Sequence, residues 1–252
     1  MEKRGLGGVQ SVERAFRLLE LLADKGDLSL TELSAFIVLP APTTHRFLKT
    51  LVALGYARQL PNRRYGLGLG LIRLAGRIDT QFGPIAKPHL DVLAQLVGES
   101  ANLAVLEGDG VVYVGQSPSP HPMRMFTEVG HRAPAHSTGV GKVMLAQLPD
   151  DQVSRVVRRA GMPRATKHTI TDLDELRSEL LRIRSQGYAT DDGEQEDGVK
   201  CYAVPIPDVP VPMAISVSGP AFRMSDDLAE KAVPMLVREA KAISQELLGV
   251  LE

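Results

Sequence analysis

The chain has 252 residues, 44% of them hydrophobic and 23% charged, which suffices for one large core or two modest ones. A single cysteine excludes an intrachain disulfide, no run approaches the ~18 consecutive apolar residues of a membrane helix, and residues 1–5 lead into no apolar signal core, so a cytoplasmic protein without a membrane partner is expected. The formal charge of −1 hides an asymmetry: residues 1–80 carry 12 Lys+Arg against 7 Asp+Glu and residues 81–252 carry 17 against 23, as suits a nucleic-acid reader joined to a second module.

In chain order, Ser11 can cap a helix over 12–25 in which Val12, Ala15, Phe16, Leu19, Leu22 and Ala23 are spaced for one buried stripe, with Gly26 closing it. Residues 28–65 then read as a winged helix-turn-helix. Ser29 and Glu32 stand three apart ahead of an apolar run, the spacing of a capping box, so a helix starts near Leu30 and continues through Leu33 and Phe36 until Pro40 forces a break. A second helix begins at Ala41 or Pro42, where proline needs no amide partner, and Gly55 ends it.

At about 100° per residue, Thr44, Phe47, Leu48 and Leu51 of this second helix fall on the inward side. Arg46, Lys49, Thr50 and Ala53 fall opposite, with Thr43 and His45 on the flanks, which makes a cationic, hydrogen-bonding face of the kind that fits a major groove. Residues 56–60 read as a strand, Pro61-Asn62 as a turn and 63–67 as the return, which puts Arg63 and Arg64 on a wing where they would meet phosphate. The candidate DNA-binding residues are Thr43, Thr44, His45, Arg46, Lys49, Thr50, Arg63 and Arg64.

Residues 69–82 have the apolar spacing of a connecting helix that could pack on a second copy, and Pro84 and Pro88 mark a boundary. Beyond it the pattern gives a helix over 88–97, a hairpin of 102–106 with 111–116, and a strand over 123–129. Helices over 138–147, 151–160 and 172–186 follow, then strands over 201–206 and 213–218 and a long helix over 226–250. Strands joined by hairpins and flanked by helices indicate an α+β domain around a mostly antiparallel sheet.

The run from Ser137 to Lys142 invites a phosphate-loop reading, which fails because His136 occupies the first glycine position and Val143 follows the lysine. What remains is a turn entering a helix, whose free amides at Gly139 and Val140 can hold a small anion. Residues 187–194 end a helix and open a strand, placing carboxylates, Asp191 among them, beside the sheet. Ser216 and Ser218 share one face of their strand. Cys201, at the head of an apolar strand, reads as a small buried hydrophobe, while Cys201, His136 and Asp191 together leave open a nucleophile, base and orienter for a cysteine-dependent amidohydrolase-like enzyme with an accessory N-terminal module. The six histidines form no ligand pair and no cysteines cluster, so neither a metal site nor a cofactor is expected.

Taken together, several motifs resemble the IclR family of bacterial transcription regulators. They are Ser11-Val12-Glu13-Arg14-Ala15, residues 28–33, Leu39-Pro40 with Thr43, His45 and Arg46, Gly55-Tyr56, and residues 64–68. In the second half they are Gly130, Pro134, His136, Gly139, Gly141-Lys142, Leu145-Ala146, residues 187–189, Asp191, Gly198-Val199, residues 201–203, Pro205-Ile206 and residues 216–220. The resemblance implies a winged helix-turn-helix domain over 1–68 that binds a palindromic operator in double-stranded DNA, a linker helix over 69–83, and a GAF-like α+β effector-binding domain over 84–252. It also implies a homodimer or tetramer and a small organic-acid or aromatic-acid effector, with no catalysis. By the same resemblance the effector would touch Gly139, Val140, Asp191, Cys201, Ser216 and Ser218, with apolar residues near 123–126. Two positions depart from the family pattern in the helix-turn-helix: Val38 stands where glycine is usual, and Pro42 where a small polar residue is common. Val140 replaces the commoner alanine and should narrow the pocket.

Overall fold

The computed structural model describes residues 9–72, 74, 82–125 and 127–251, and the chain divides into two compact units between residues 78 and 79. In the first, α1 (Gln10–Lys25), α2 (Leu30–Ile37) and α3 (Ala41–Ala53) precede a hairpin of β1 (Ala57–Gln59) and β2 (Tyr65–Leu67). The expected capping box is formed, with the Ser29 amide donating to Glu32 Oε2 at 2.7 Å and the Glu32 amide to Ser29 Oγ at 3.3 Å. The core gathers Leu18, Leu22, Leu33, Leu48, Leu51 and Tyr65, each fully buried leucine contributing about 2 kcal/mol by transfer.

Several details differ from the sequence reading. α1 begins at Gln10 with Val9 at its N-cap, so Ser11 lies inside the helix rather than capping it. On α1 the buried stripe is Leu18, Leu19 and Leu22, whereas Val12 and Phe16 are 54% and 60% exposed and Ala23 also faces out. The apolar stripe of α1 is wider than the area its own unit covers. Leu28 forms an antiparallel bridge with Tyr65, adding a third edge to the wing sheet. Val38 takes the left-handed conformation (φ 55°, ψ 50°) at the end of α2, so the turn keeps its geometry despite the β-branched residue. The expected linker helix begins at Gly70 and is helical at 71, 72 and 74, while 73 and 75–81 lie outside the described residues.

The second unit is built on a six-stranded antiparallel sheet of β3 (Ser100–Glu107), β4 (Gly110–Ser117), β5 (Arg132–Pro134), β6 (Ala189–Asp192), β7 (Val199–Pro205) and β8 (Met213–Pro220), in the order β5-β4-β3-β8-β7-β6. α4 (Gly83–Val97) and α8 (Asp226–Leu251) cover one face, α5 (Gly139–Ala146) and α7 (Leu173–Gln186) the other, and α6 (Asp150–Ala160) adds Val153 to the second core. Strand alternation sorts the side chains between them. Leu103, Tyr202, Val204, Ile215 and Val217 join the α4–α8 core, whereas Ala104, Cys201, Ala203 and Ala214 turn toward α5. One face is bulky and aliphatic; the other is lined with small or polar side chains.

No strand forms among the described residues of 123–129, and the sheet is extended by Arg132–Pro134 instead. The 123–125 segment is held by other means: Ser100 Oγ donates to the Met125 carbonyl (3.0 Å) and Arg223 Nη2 to the Met123 carbonyl (2.8 Å). α4 begins at Gly83 rather than at 88. Pro84 lies in the first turn, where no amide is missed, and Pro88 forfeits a single helical hydrogen bond.

Candidate functional site

α3 turns a polar side outward because its apolar residues are drawn into the helix-turn-helix core. His45, Arg46, Lys49 and Thr50 are exposed, Thr43 is half-buried, and Phe47 packs against the core beside Leu48 and Leu51. Thr44 is removed from the DNA-facing set. It is fully buried, and its hydroxyl donates to the Pro40 carbonyl at 3.3 Å, satisfying a group of the helix start rather than facing a groove.

The wing separates its two arginines. Arg63 occupies the turn with φ 63° and is exposed. Arg64 folds back instead, its Nε and Nη2 donating to the Asp27 carbonyl at 3.0 and 2.8 Å while Nη2 lies 3.0 Å from Glu32 Oε2. Its guanidinium is spent on tying the hairpin to the capped start of α2, which corrects the expectation that both arginines meet phosphate. Adjacent residues of a hairpin point to opposite sides, and sequence does not say which side is which.

In the second unit, Thr138 caps α5 by accepting from the Gly141 amide (3.2 Å), and the Lys142 amide donates to the Thr138 carbonyl (2.9 Å). Among the described residues nothing accepts from the Gly139 and Val140 amides, which are left at the positive end of the helix dipole. Gly139 rests on the sheet so closely that a Cβ there would stand 3.0 Å from Cys201 Sγ and 3.5 Å from the Ala203 methyl. A Cβ on Gly141 would stand 2.3 Å from the Ala135 carbonyl oxygen, so only glycine permits this approach.

The face below α5 carries two rows of cross-strand neighbours. Ser100, Ser218, Cys201 and Asp191 pair in succession across β3, β8, β7 and β6, and Gln116, Asn102, Ser216 and Ala203 across β4, β3, β8 and β7. The sequence-derived ligand residues Asp191, Cys201, Ser216, Ser218 and Gly139 are thus brought to one place, with Val140 fully buried beside them. Asn102 and Gln116 were missed, because register across strands is not written in either strand alone. Asn102 Nδ2 reaches Ser218 Oγ at 3.5 Å, while Asn102 Oδ1, Gln116 Nε2 and Ser216 Oγ are buried without a hydrogen-bond partner. A buried polar atom without a partner costs free energy, so these three are the polar groups of this face that the protein itself does not satisfy.

Burial pushes the Asp191 carboxyl up to about 6, against the pull of the Glu194 and Gln195 amides that donate to Oδ1 (2.8 and 3.4 Å). Burial likewise pushes Glu194 up to about 7. Glu194 Oε1 pairs with Lys142, itself almost wholly buried and 3.1 Å from Glu179. This buried ion cluster had no sequence signal, since its carboxylates lie 37 and 52 residues beyond the lysine. A cleft of about 820 Å³ opens along the β6 edge of the sheet, lined by Glu179 of α7, Asp226 of α8 and, between them, Asp192 and Lys200 among others, and none of the ligand candidates lines it.

The enzymatic constellation is not assembled. Burial pushes the Cys201 thiol up to about 12, keeping it protonated, and no hydrogen bond among the described residues joins it to His136, whose Nε2 lies 3.2 Å from the Pro163 carbonyl. Asp191 Oδ1 is occupied by main-chain amides rather than an imidazole.

The description "IclR helix-turn-helix domain" matches residues 11–61, and "Bacterial transcriptional regulator IclR C-terminal" matches residues 80–245. The chain belongs to the IclR family. It is a DNA-binding transcriptional regulator and not an enzyme. IclR-family relatives in Escherichia coli (strain K12) include the HTH-type transcriptional regulator KdgR, 34% identical over 244 residues (95% of this chain, 93% of the relative). A second is the transcriptional repressor IclR, 34% identical over 247 residues (94% and 90%). A solved IclR homologue from Microbacterium hydrocarbonoxydans, in complex with 4-hydroxybenzoate, superposes with a TM-score of 0.79 at 26% identity, covering 95% of this chain and 99% of that one.

Proposed function

We propose that the protein is a repressor of a catabolic operon, working in the cytoplasm, whose grip on a palindromic operator is set by a small organic acid bound between α5 and the sheet. Two copies would place α3 in successive major grooves, with Arg46 and Lys49 at base edges or phosphates and Arg63 on flanking phosphate. The observation that carries the effector half is the start of α5, whose Gly139 and Val140 amides are unpaired among the described residues, set against the strands that carry Asp191, Cys201, Ser216 and Ser218. The amides suit a carboxylate, whereas Asp191 cannot accept a second negative charge and instead receives a hydroxyl or N–H from the ligand. The relative named as a repressor and the solved homologue holding an aromatic acid support both halves. An acid alters operator affinity only by binding two states of the regulator unequally, typically by about 1–3 kcal/mol.

Fluorescence anisotropy on an operator recovered by genome-wide capture tests this reading. Arg46→Ala should weaken binding by about 1–3 kcal/mol and relax one base position. Equal binding by wild type and variant removes the DNA assignment. Calorimetry with the acid that shifts the anisotropy should show affinity lost in Asp191→Ala and Ser218→Ala, and unchanged affinity in both removes the effector site.

A further inference from the structure

β6 closes one end of the six-stranded sheet, and among the described residues no strand pairs with its outer edge. The Gly193 amide donates to the Val199 carbonyl at 2.9 Å, which makes these two a hydrogen-bonded pair. By the alternation of an antiparallel ladder, Asp191 with Cys201 and Ala189 with Ala203 are hydrogen-bonded pairs too. Thr190 and Asp192 therefore turn their amides and carbonyls away from β7, and no hydrogen bond among the described residues uses them. Thr190 is half-buried and Asp192 exposed. An unpaired edge of this kind is a template for another strand. Here it lies inside the cleft of about 820 Å³, between Glu179 and Arg182 of α7 and Glu230 and Val233 of α8. Its four residues span roughly 13 Å at about 3.3 Å per residue, the length of a short extended peptide.

The charge of the cleft decides what that peptide is. Leaving aside Glu194, which pairs with the buried Lys142, the lining sets Glu179, Asp192, Asp226 and Glu230 against Arg182 and Lys200. Arg182 is held by Glu179, and Lys200 lies 3.5 Å from Asp192 and 3.4 Å from Asp226, whereas Glu230 enters no ion pair among the described residues. A second copy of the same edge would bring the same negative excess, and like charges set opposite each other oppose pairing. We propose that the cleft docks an extended, lysine- or arginine-rich segment of a partner protein, added alongside β6 through main-chain hydrogen bonds to Thr190 and Asp192, with its basic side chains over Asp226 and Glu230. This site is separate from the effector site, because Asp191 points to the opposite face of the sheet from Thr190 and Asp192.

Fluorescence anisotropy of a labelled hexapeptide of alternating lysine and valine, titrated with the full-length protein, tests it. The peptide should bind saturably and at least about tenfold more tightly than either of two controls, one with glutamate in place of lysine and one with every amide N-methylated. N-methylation removes the donors that a strand needs and leaves the charge in place. Thr190→Pro should weaken the lysine peptide by about tenfold or more, since it deletes an outward amide that takes no part in the pairing with β7, a position where an edge strand tolerates proline. Asp226→Lys combined with Glu230→Lys should weaken it as much and turn the preference toward the glutamate peptide. Circular dichroism melting confirms that the variants fold, and the wild-type peptide series decides the matter even if a variant does not. Absence of saturable binding by the lysine peptide overturns the proposal, as does equal binding of the N-methylated peptide or equal binding by folded Thr190→Pro. Spermidine binding as tightly as the peptide overturns it by assigning the cleft to small cations. Self-association of the wild type that Thr190→Pro abolishes overturns it by giving the edge to a second copy.

Discussion

Replacing Asp191 by asparagine should stabilise the second unit at neutral pH while harming recognition of the effector. The carboxyl is 4% exposed, and burial moves it from its ordinary value near 3.8 to about 6, a difference equivalent to about 3 kcal/mol. The folded state therefore holds this proton more tightly than the unfolded chain. Stability carries no penalty below about pH 4, declines as pH rises toward 6, and bears the whole penalty above that. Asparagine resembles the protonated acid, and its Oδ1 can still accept from the Glu194 and Gln195 amides as the carboxylate does. Asp191→Asn should gain about 1–2 kcal/mol at pH 7.5, less than the full value because a charged site relaxes and admits water, and nothing at pH 4. Urea unfolding at the two pH values, followed by a probe in the second unit, measures this directly. A variant less stable at pH 7.5, or equally stabilised at both, refutes the reasoning. Calorimetry should show weaker effector binding in the same protein, so that the ionised acid is retained at the expense of stability.

Other outcomes follow from particular geometries. Val38→Gly should stabilise the first unit by about 0.5–1 kcal/mol in thermal unfolding: the left-handed backbone strain of ~1–2 kcal/mol is relieved, glycine's extra chain entropy takes back part, and the 85% exposed side chain gives up no packing. Arg63→Asn, which suits the left-handed turn, should reduce the slope of log affinity against log salt by about 1, whereas Arg64→Ala should leave that slope alone and lower stability by about 1 kcal/mol through loss of its ties to Asp27 and Glu32. Gly141→Ala should cost about 3 kcal/mol of stability and weaken effector binding, since its methyl would collide with the Ala135 carbonyl and lift the start of α5 off the sheet.

Local patterns were readable where a few neighbouring residues decide the structure. Ser29 and Glu32 announce the start of α2, Asp172 and Gly187 bracket α7, and 3.6-residue periodicity puts Leu48 and Leu51 inside. The same periodicity turns Thr44 inward, where it is fully buried and away from any DNA contact. Val12 and Phe16 show a different limit: the phase of a stripe is local, but how much of it is covered depends on how far the neighbouring helices reach. Asn102, Gln116 and Lys142 were invisible because each acquires its meaning from partners on distant elements. A lysine in isolation reads as solvated, and only the fold delivers Glu179 and Glu194 to its ammonium.

The sorting of the sheet into one bulky face and one face of small or polar side chains gives the domain two cores, and only the second of them includes residues of the candidate site. Leu103, Tyr202, Ile215 and Val217 pack with α4 and α8, in a cluster separate from the one that contains Cys201, Ala203 and Ala214. Descendants of such a protein could therefore trade an alanine for a serine, or an asparagine for a leucine, beneath α5 and answer to a new nutrient without refounding the architecture that supports it.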